Sequence, residues 1–398
     1  MTAVDHQVQV PSREELVARA GELRPLLTES AAAADRDRHL DPAVVDAVAA
    51  AGLFKLTVPR RLGGFQADMR TLLEVVAELG RGCMSTAWVT SVLNFSAWQA
   101  AIFGEPAQDD IWGNNPDARV CSVFGPARSA EEAGGGWTIS GAWPAASGCA
   151  FSDFCALSVP VAIGPDGPVF KAFLVPLADM TIEDTWYSTG VRGSESNTVV
   201  AEDVRVPMHR VLELREALAG VRPQVRREDK LYLSSWSGVG ATATLVPQLG
   251  LANAVLDLVM ERSRDRRIPP AGIADQSEDA GFQMRVADAG AKIELAWHMA
   301  RRVCDEVDAA SATGELPDDM SRGRARMYSA LASQYVYESV ETMMSEAGSS
   351  ALTQGQPLER MWRDMSTAHR HQAYRLDPAR KVFGRILLGK GPGVNVRF

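Results

Sequence analysis

The sequence predicts an α+β protein in three consecutive parts, and three observations support this prediction. Residues 1–118 place apolar residues three and four positions apart, which is typical of helices. Residues 119–225 lose that spacing and show short alternating segments between turn residues, which predicts a small antiparallel β-domain. Residues 226–398 return to helical spacing and predict a four-helix bundle. With 398 residues and 46% apolar content, the chain can bury a core of this size.

The N-terminal part is predicted to contain several helices joined by one distinctive loop. Its first segment is rich in Ala, Leu and Glu, which favour helix, although Pro25 interrupts it. Asp41 and Pro42 suit the N-cap and first position of the next helix. The loop that follows, at 55–64, contains Pro and paired Gly. The predicted helices lie at 14–34, from 42 to about 53, and at about 68–81 and 85–103.

The middle part changes from helical spacing to alternation. Turns such as Gly134-Gly-Gly136 separate the alternating segments, as expected for hairpins. The predicted strands lie at 137–141, 154–159, 170–175 and 197–201.

The C-terminal part is predicted to be a bundle of long helices. Their apolar positions recur at helical spacing over each segment. Because a bundle of this kind can bury part of its surface against copies of itself, we expect a homo-oligomer. The four predicted helices lie at 238–262, 283–310, 321–347 and roughly 357–374.

The composition argues against several classes of function. A net charge of −9 without any block of Lys and Arg is unfavourable for binding nucleic acid or an anionic membrane surface. No segment approaches the roughly 18 apolar residues that a membrane span needs. The five cysteines form no CxxC pair and no metal-ligand spacing with histidine, so we expect no metal site and a reduced, cytoplasmic protein.

Three motifs occur in an order that identifies a family resemblance over nearly the whole chain. Together they resemble the acyl-CoA dehydrogenase superfamily, which implies the acyl-CoA dehydrogenase fold and a flavin cofactor. The motifs are Ala51-Gly-Leu-Phe-Lys-Leu-Thr-Val-Pro-Arg-Arg-Leu-Gly-Gly64, Asp203-Val-Arg-Val-Pro207 and Pro357-Leu-Glu-Arg-Met-Trp-Arg-Asp364.

One departure from the family pattern bears on function. Straight-chain dehydrogenases carry a catalytic Glu after the Arg-Asp of the third motif, and here Gln372 stands at that position. An amide has no useful basicity near neutral pH, so it cannot remove the α-proton of an acyl-CoA. The His-rich segment from Met365 to Tyr374 instead resembles the group D reduced-flavin monooxygenases of the same superfamily.

That resemblance implies a two-component reaction. Group D enzymes receive reduced flavin from a separate flavin reductase, react with O2 to form a C4a-(hydro)peroxyflavin, and transfer oxygen to a small-molecule substrate. The sequence contains no GxGxxG dinucleotide fingerprint, which agrees with reduction of the flavin by another protein.

The resemblance also implies which residues meet the flavin ring. Ser147 matches the position whose hydroxyl approaches the N5 edge, where a fixed hydroxyl in a dry site would slow the loss of peroxide. Ser122, on the preceding strand, is a second candidate. The turn at 190–197 resembles the family's Arg-Gly-Ser/Thr-Gly-Ser turn and offers Arg192, Ser194 and Ser196 as donors. A strand-end turn and a polar hairpin loop are the alternative interpretations.

Two further segments resemble the distal nucleotide site, to which a neighbouring subunit contributes. Arg262 and Arg264 follow a long helix where the dehydrogenases place an arginine on the flavin pyrophosphate, and a guanidinium suits such phosphate contacts. The sequence leaves open which of the two points inward. Gly348 and Ser349 match the stretch that approaches the adenosine side, although a helix break explains them equally well. This site favours FADH2, with FMN as the alternative.

His371 is the predicted catalytic residue, and His369 is the second candidate. Both were expected on one helix, where residues two apart point about 200° apart, so at most one can face the flavin. An imidazole near the reacting oxygen would donate a hydrogen bond or take the substrate proton. A surface or subunit-contact histidine is the alternative. Trp88, Phe95 and Trp98 are predicted to line an apolar substrate pocket, although core packing explains them equally well.

The leading prediction is therefore an FADH2-dependent monooxygenase that hydroxylates an aromatic or indole-like molecule, with O2 as co-substrate. An amino-sugar N-oxygenase on the same fold is the first alternative. An acyl-CoA dehydrogenase with a displaced base is the second, and a flavin-fold protein without catalytic activity is the third.

Overall fold

A computed structural model describes residues 10–124, 129–164, 167–264, 266–268 and 272–393, and it has the predicted α+β architecture. Within these residues the α-helices are α1 Arg13–Asp37, α2 Pro42–Ala50, α3 Met69–Gly82, α4 Met84–Ala100, α5 Glu105–Trp112, α6 Leu214–Leu218, α7 Trp236–Ser263, α8 Ala280–Thr313, α9 Asp319–Ala347, α10 Pro357–His369 and α11 Leu376–Leu387. The strands are β1 Val120–Val123, β2 Ser129–Ala133, β3 Gly136–Ala146, β4 Phe154–Gly164, β5 Gly167–Pro176, β6 Thr181–Glu183, β7 Asn197–Pro207 and β8 Val211–Glu213.

The N-terminal helices form as their end signals predict. Ser12 accepts the backbone N–H of Glu15, whose side chain returns to Ser12, and this capping box starts α1. The helix continues through Pro25 to Asp37. Asp41 caps α2, with Pro42 at its first position, as predicted. The sequence prediction missed α5, whose eight residues are too short for a periodic signal.

The β-domain consists of two four-stranded sheets, ordered β1-β4-β5-β8 and β2-β3-β7-β6. The four predicted strands all lie within longer ones, β3, β4, β5 and β7. Most pairs are antiparallel, but β1 pairs in parallel with β4, which departs from the prediction. Parallel strands need a long connection, and here the chain between β1 and β4 passes through β2 and β3 of the other sheet.

The C-terminal bundle differs from the prediction at its fourth helix. That helix ends at His369 instead of continuing to Tyr374. His371 has an extended backbone and its Nδ1 accepts the N–H of Ala373, so the chain enters a short 3₁₀ turn at Gln372–Tyr374. A further helix, α11, then packs against α9.

The N-terminal domain and the bundle meet where α3 crosses α7 with almost no side chain between them. A Cβ at Gly80 would lie 2.7 Å from the carbonyl oxygen of Pro247, and one at Gly250 would collide with the carbonyl of Ala77. Glycine is therefore required on both sides of this crossing. On another side of α7, the almost fully buried α4 fills the space between the bundle and β1.

Helix α7 is an exception to the expectation that no segment is apolar enough to span a membrane. Among the described residues, α7 has 28 residues and a window of mean hydropathy 1.4, so by length and composition it resembles a membrane span. Most of that window, 67%, is buried against the rest of the protein. The apolar character of α7 is therefore explained by its position at the centre of the fold.

Candidate active site

Two adjoining cavities open where α4, the β-domain and the bundle meet. The larger has a volume of about 720 Å³ and the smaller about 430 Å³. Both volumes fall within the range of small-molecule sites. The residues that line both cavities are Phe95, Phe124, Thr244, His371 and Gln372. Molecules bound in the two cavities would therefore share these five residues as neighbours.

The smaller cavity is lined by three of the residues predicted to meet the flavin ring. Ser122 lies on β1 and its Oγ is 2.8 Å from the Oγ of Ser96. Ser147 follows β3, and Ser196 precedes β7. Trp88 from α4 also lines this cavity but not the larger one, whereas Phe95 lines both.

Three serine hydroxyls form a continuous chain beside the smaller cavity. The indole N–H of Trp88 donates to Ser147 at 3.1 Å. The Oγ atoms of Ser147 and Ser196 are 2.7 Å apart, and those of Ser196 and Ser194 are 2.8 Å apart. Ser194 donates to the carbonyl oxygen of Val191 at 2.7 Å. Ser194 itself is fully buried and lies behind the wall of the cavity.

The backbone around this chain adopts conformations that side chains usually avoid. Ala145, Val191 and Glu195 have φ values of 65°, 52° and 44°, within the left-handed region. Such residues persist only where their surroundings hold them, and they are frequent at functional sites.

Asp364 from α10 provides part of that support. Its carboxyl accepts the N–H of Val191 at 2.6 Å. The side chain is almost completely buried, and burial raises the pKa of Asp364 to about 7. The Asp of the third sequence motif therefore holds the loop that carries the serine chain.

Arg192 does not line either cavity. Its Nε donates to the carbonyl oxygen of Asp35 at 2.7 Å, which ties the same loop to the end of α1. The structure thus gives Arg192 and Ser194 supporting positions behind the cavity, and it places Ser147 and Ser196 on the cavity wall.

His371 lies at the boundary between the two cavities. Its ring packs edge-on against Trp88, with ring centroids 5.9 Å apart. Burial lowers the pKa of His371, which favours the neutral imidazole. Nδ1 accepts the N–H of Ala373 at 3.3 Å, so the proton of the neutral ring resides on Nε2. His371 is therefore arranged to donate a hydrogen bond from Nε2.

His369 lies away from both cavities. Its ring stacks on Tyr337 with centroids 4.5 Å apart, and its Nδ1 is 3.0 Å from the hydroxyl of Ser333. Of the two histidines, His371 lines the cavities and His369 does not. They diverge because α10 ends between them, whereas the prediction placed both on one helix.

Aromatic side chains form much of the wall of the larger cavity. Phe95 and Phe124 meet Trp236 edge-on, with centroids 6.1 and 5.7 Å away. Phe170 completes this wall. Trp98, predicted for the pocket, is instead fully buried behind Phe95, and its indole N–H donates to the carbonyl of Leu231 at 2.9 Å. Trp236, which occupies the first turn of α7, was missed because no motif or spacing in the sequence indicates it.

A third cavity, of about 210 Å³, lies at the other end of the bundle. Arg262 lines it, together with Arg266 and Ser350. Arg262 and Arg264 are both exposed, and of the two it is Arg262 that lines this cavity. Gly348 has a φ of 72°, and a Cβ there would collide with Arg266.

Ser349, predicted beside Gly348, is exposed and lies outside that lining. Across the described parts of the chain, His, Cys, Asp and Glu residues form no cluster that could hold a metal ion.

Comparisons with known families and proteins agree with this geometry. Residues 15–114 match the N-terminal domain of acyl-CoA dehydrogenase, and residues 243–375 match its C-terminal domain. The oxygenase subunit HsaA of a flavin-dependent monooxygenase from Rhodococcus jostii is 33% identical over 92% of this chain and 96% of its own. The oxygenase component of an FADH(2)-dependent resorcinol hydroxylase from a Rhizobium species is 30% identical over 98% of each chain.

A solved structure of similar shape contains a flavin. XiaF from a Streptomyces species, in complex with FADH2 and glycerol, superposes with a TM-score of 0.90 at 29% identity, over 96% of both chains. The chain belongs to the acyl-CoA dehydrogenase superfamily, and within that superfamily to the flavin-dependent monooxygenases.

Proposed function

We propose that this chain is the oxygenase component of a two-component system, which binds FADH2 supplied by a separate flavin reductase and hydroxylates an aromatic small molecule. The pair of adjoining cavities with His371 between them is the observation that carries this proposal. One cavity would hold the flavin ring and the other would hold the substrate. We further propose a cytoplasmic location, in keeping with five buried, unpaired cysteines.

The residues of the smaller cavity fit a flavin ring. Trp88 and Trp186 provide flat apolar surfaces, while Ser122, Ser147 and Ser196 provide hydroxyls for the polar edge. The cavity around Arg262 would hold the phosphate or adenosine part, with a second copy of the chain completing it. That arrangement favours FAD over FMN, because FMN does not extend beyond its single phosphate.

Reduced flavin, when bound, supplies the electrons that activate O2 for transfer to the substrate. The contribution of His371 is to donate a hydrogen bond from Nε2 at the boundary between the cavities. With substrate bound, the aromatic side chains around Phe95 would help to exclude water from the same region, and hydrogen bonds are stronger in a dry site.

The larger cavity favours an aromatic substrate over an amino sugar. Phe124, Phe170 and Trp236 present flat apolar surfaces on which an aromatic ring can pack. Among the described residues, no Asp or Glu lines this cavity, and the charged side chain that does line it is Arg326. A cationic amine would therefore lack a counter-charge. The dehydrogenase alternative lacks a base as well, since Gln372 lines both cavities where a glutamate would be needed.

The test is aerobic turnover with flavin reduced in advance. Photoreduced FAD or FMN is mixed with enzyme, oxygenated buffer and resorcinol, indole or glucosamine, and products are identified by mass spectrometry while released peroxide is measured. We expect hydroxylated aromatic product with FADH2, less with reduced FMN, and none from glucosamine. Oxidation of glucosamine alone, or isolation of a tightly held oxidised flavin that oxidises acyl-CoA without O2, would contradict the proposal.

A further inference from the structure

The directions of the hydrogen bonds in the serine chain are fixed at both of its ends. A carbonyl oxygen can only accept, so the single hydroxyl hydrogen of Ser194 is committed to Val191. The hydrogen between Ser194 and Ser196 must then come from Ser196. By the same reasoning, the hydrogen between Ser196 and Ser147 must come from Ser147.

This assignment leaves Ser147 without a hydrogen for the cavity. A hydroxyl has one hydrogen and two lone pairs. The hydrogen points to Ser196, and one lone pair receives the indole N–H of Trp88, which can only donate. One lone pair therefore remains, and Ser147 can offer a bound molecule nothing except an acceptor.

Such an acceptor distinguishes the two redox states of a flavin. The N5 atom of oxidised flavin is an acceptor, whereas N5 of reduced flavin carries a hydrogen and is a donor. Two acceptors cannot form a hydrogen bond, and a buried polar group left without a partner is costly. Ser147 should therefore favour the reduced ring if it meets the N5 edge, as its position in the cavity wall allows.

We infer that Ser194 and Ser196 are specificity-determining residues that make the site selective for reduced flavin, by holding the hydrogen of Ser147 away from the cavity. This inference rests on the proposed function, since it takes the smaller cavity to be the flavin site. Ser194 acts only through Ser196, because it is fully buried and does not line the cavity. It is a positioning residue.

The decisive variant is Ser194→Ala. Without an acceptor at position 194, Ser196 can turn its hydrogen toward Ser147, and the hydrogen of Ser147 is released toward the cavity. Oxidised flavin then gains a donor for its N5. The variant should therefore bind oxidised FAD more tightly than the wild type does, while binding of reduced FAD changes little. Structural damage to the site would instead weaken binding of both forms.

The experiment measures dissociation constants of oxidised FAD in air and of photoreduced FAD under anaerobic conditions, by calorimetry on the full-length protein. In the wild type we expect reduced FAD to bind at least about tenfold more tightly. Ser194→Ala should lower the dissociation constant of oxidised FAD by about three- to tenfold, the range of one net hydrogen bond. Ser194→Cys, whose sulfur is a weaker acceptor for the hydrogen of Ser196, should give an intermediate value.

Ser152→Ala is the matched control. Its hydroxyl donates to the carbonyl of Gly148 nearby but takes no part in the chain, so both constants should stay at their wild-type values. The inference would be overturned if Ser194→Ala keeps the wild-type ratio of the two dissociation constants, or if it binds oxidised and reduced FAD equally more weakly. Wild-type protein that binds neither flavin would overturn the proposed function as well. Selective binding of reduced FAD without hydroxylation of any aromatic compound would overturn the proposed function alone.

Discussion

His371 owes its chemical character to one backbone hydrogen bond. Because Nδ1 receives the N–H of Ala373, the neutral ring carries its proton on Nε2 and acts as a donor. Burial lowers the pKa of this imidazole, which favours that neutral form at pH 7. Of the two roles considered from the sequence, hydrogen-bond donation and removal of a substrate proton, this geometry favours donation.

We predict that His371→Ala uncouples the reaction while flavin remains bound. Formation of hydroxylated product should fall by roughly 100-fold, the usual scale for losing a positioned acid–base group, and released hydrogen peroxide should rise to match the oxygen consumed. The dissociation constant of reduced FAD should stay close to that of the wild type, because Arg262 at the distal cavity is unchanged. Product, peroxide and oxygen are measured in the same reaction.

His369→Ala is the control for this prediction. His369 stacks on Tyr337 outside both cavities, so its loss should affect stability more than coupling. If wild type and His371→Ala form the same amount of hydroxylated product per oxygen consumed, His371 has no catalytic role.

Several residues of the cavity walls could be predicted from motifs, but the direction of each side chain could not. Ser147 and His371 were identified by position in a motif, and both line the cavities. Trp88, Phe95 and Trp98 share one helix, yet Trp98 packs into the core because α4 is buried on nearly every side. No periodicity distinguishes a cavity-facing from a core-facing side chain on such a helix.

At the level of elements, the loop that carries the serine chain depends on α10. Asp364 binds the N–H of Val191, and burial raises the pKa of its carboxyl to about 7. Between about pH 4 and pH 7 the native carboxyl keeps its proton, whereas the unfolded chain releases it. Folding takes up a proton in this range, so the contribution of Asp364 to stability decreases as pH rises through it.

We predict that Asp364→Asn removes this pH dependence. The amide oxygen can still accept the N–H of Val191, but the side chain does not titrate. The free energy of unfolding of the wild type minus that of the variant should therefore decrease from pH 5 to pH 8, by up to about 3 kcal/mol. Urea unfolding at four pH values gives this difference. The exposed Asp179→Asn variant should keep the wild-type slope, and a constant difference for Asp364→Asn would contradict the prediction.

Spacing in the sequence located the long elements correctly, while their ends and pairings depended on contacts between distant residues. Helical spacing found α7, α8 and α9 within a few residues of their observed bounds. It also extended α10 too far, since the break at His371 arises from a side-chain bond that spacing does not encode. The parallel pairing of β1 with β4 was likewise invisible to alternation, which is the same for either direction.

At the level of the whole molecule, one face of the bundle carries exposed apolar side chains. Met284 and Leu295 on α8 are 64% and 51% exposed in the single chain. They are eleven residues apart, about three turns, so they share a face of the helix. Such a patch is typical of a surface that another copy covers.

We predict a dimer or tetramer by light scattering, and a smaller species after Met284→Glu combined with Leu295→Glu. The double variant should also lose part of its preference for reduced FAD over reduced FMN, because the cavity around Arg262 would no longer be completed by a second copy. Ile163→Glu, at the exposed edge of β4, is the control and should leave the mass unchanged. An active wild-type monomer at micromolar concentration would contradict this prediction.

The position of α7 in the chain matters while the protein is being made. This helix is apolar enough to resemble a membrane span, and it is covered on two sides by α3 and α4. Those two helices leave the ribosome more than a hundred residues before α7 does. Because N-terminal domains fold first during synthesis, the surfaces of α3 and α4 that cover α7 are already formed when it emerges, while α8 and α9 cover its remaining sides afterwards. The order of the domains thus shortens the time that this long apolar helix spends exposed to water and to membranes.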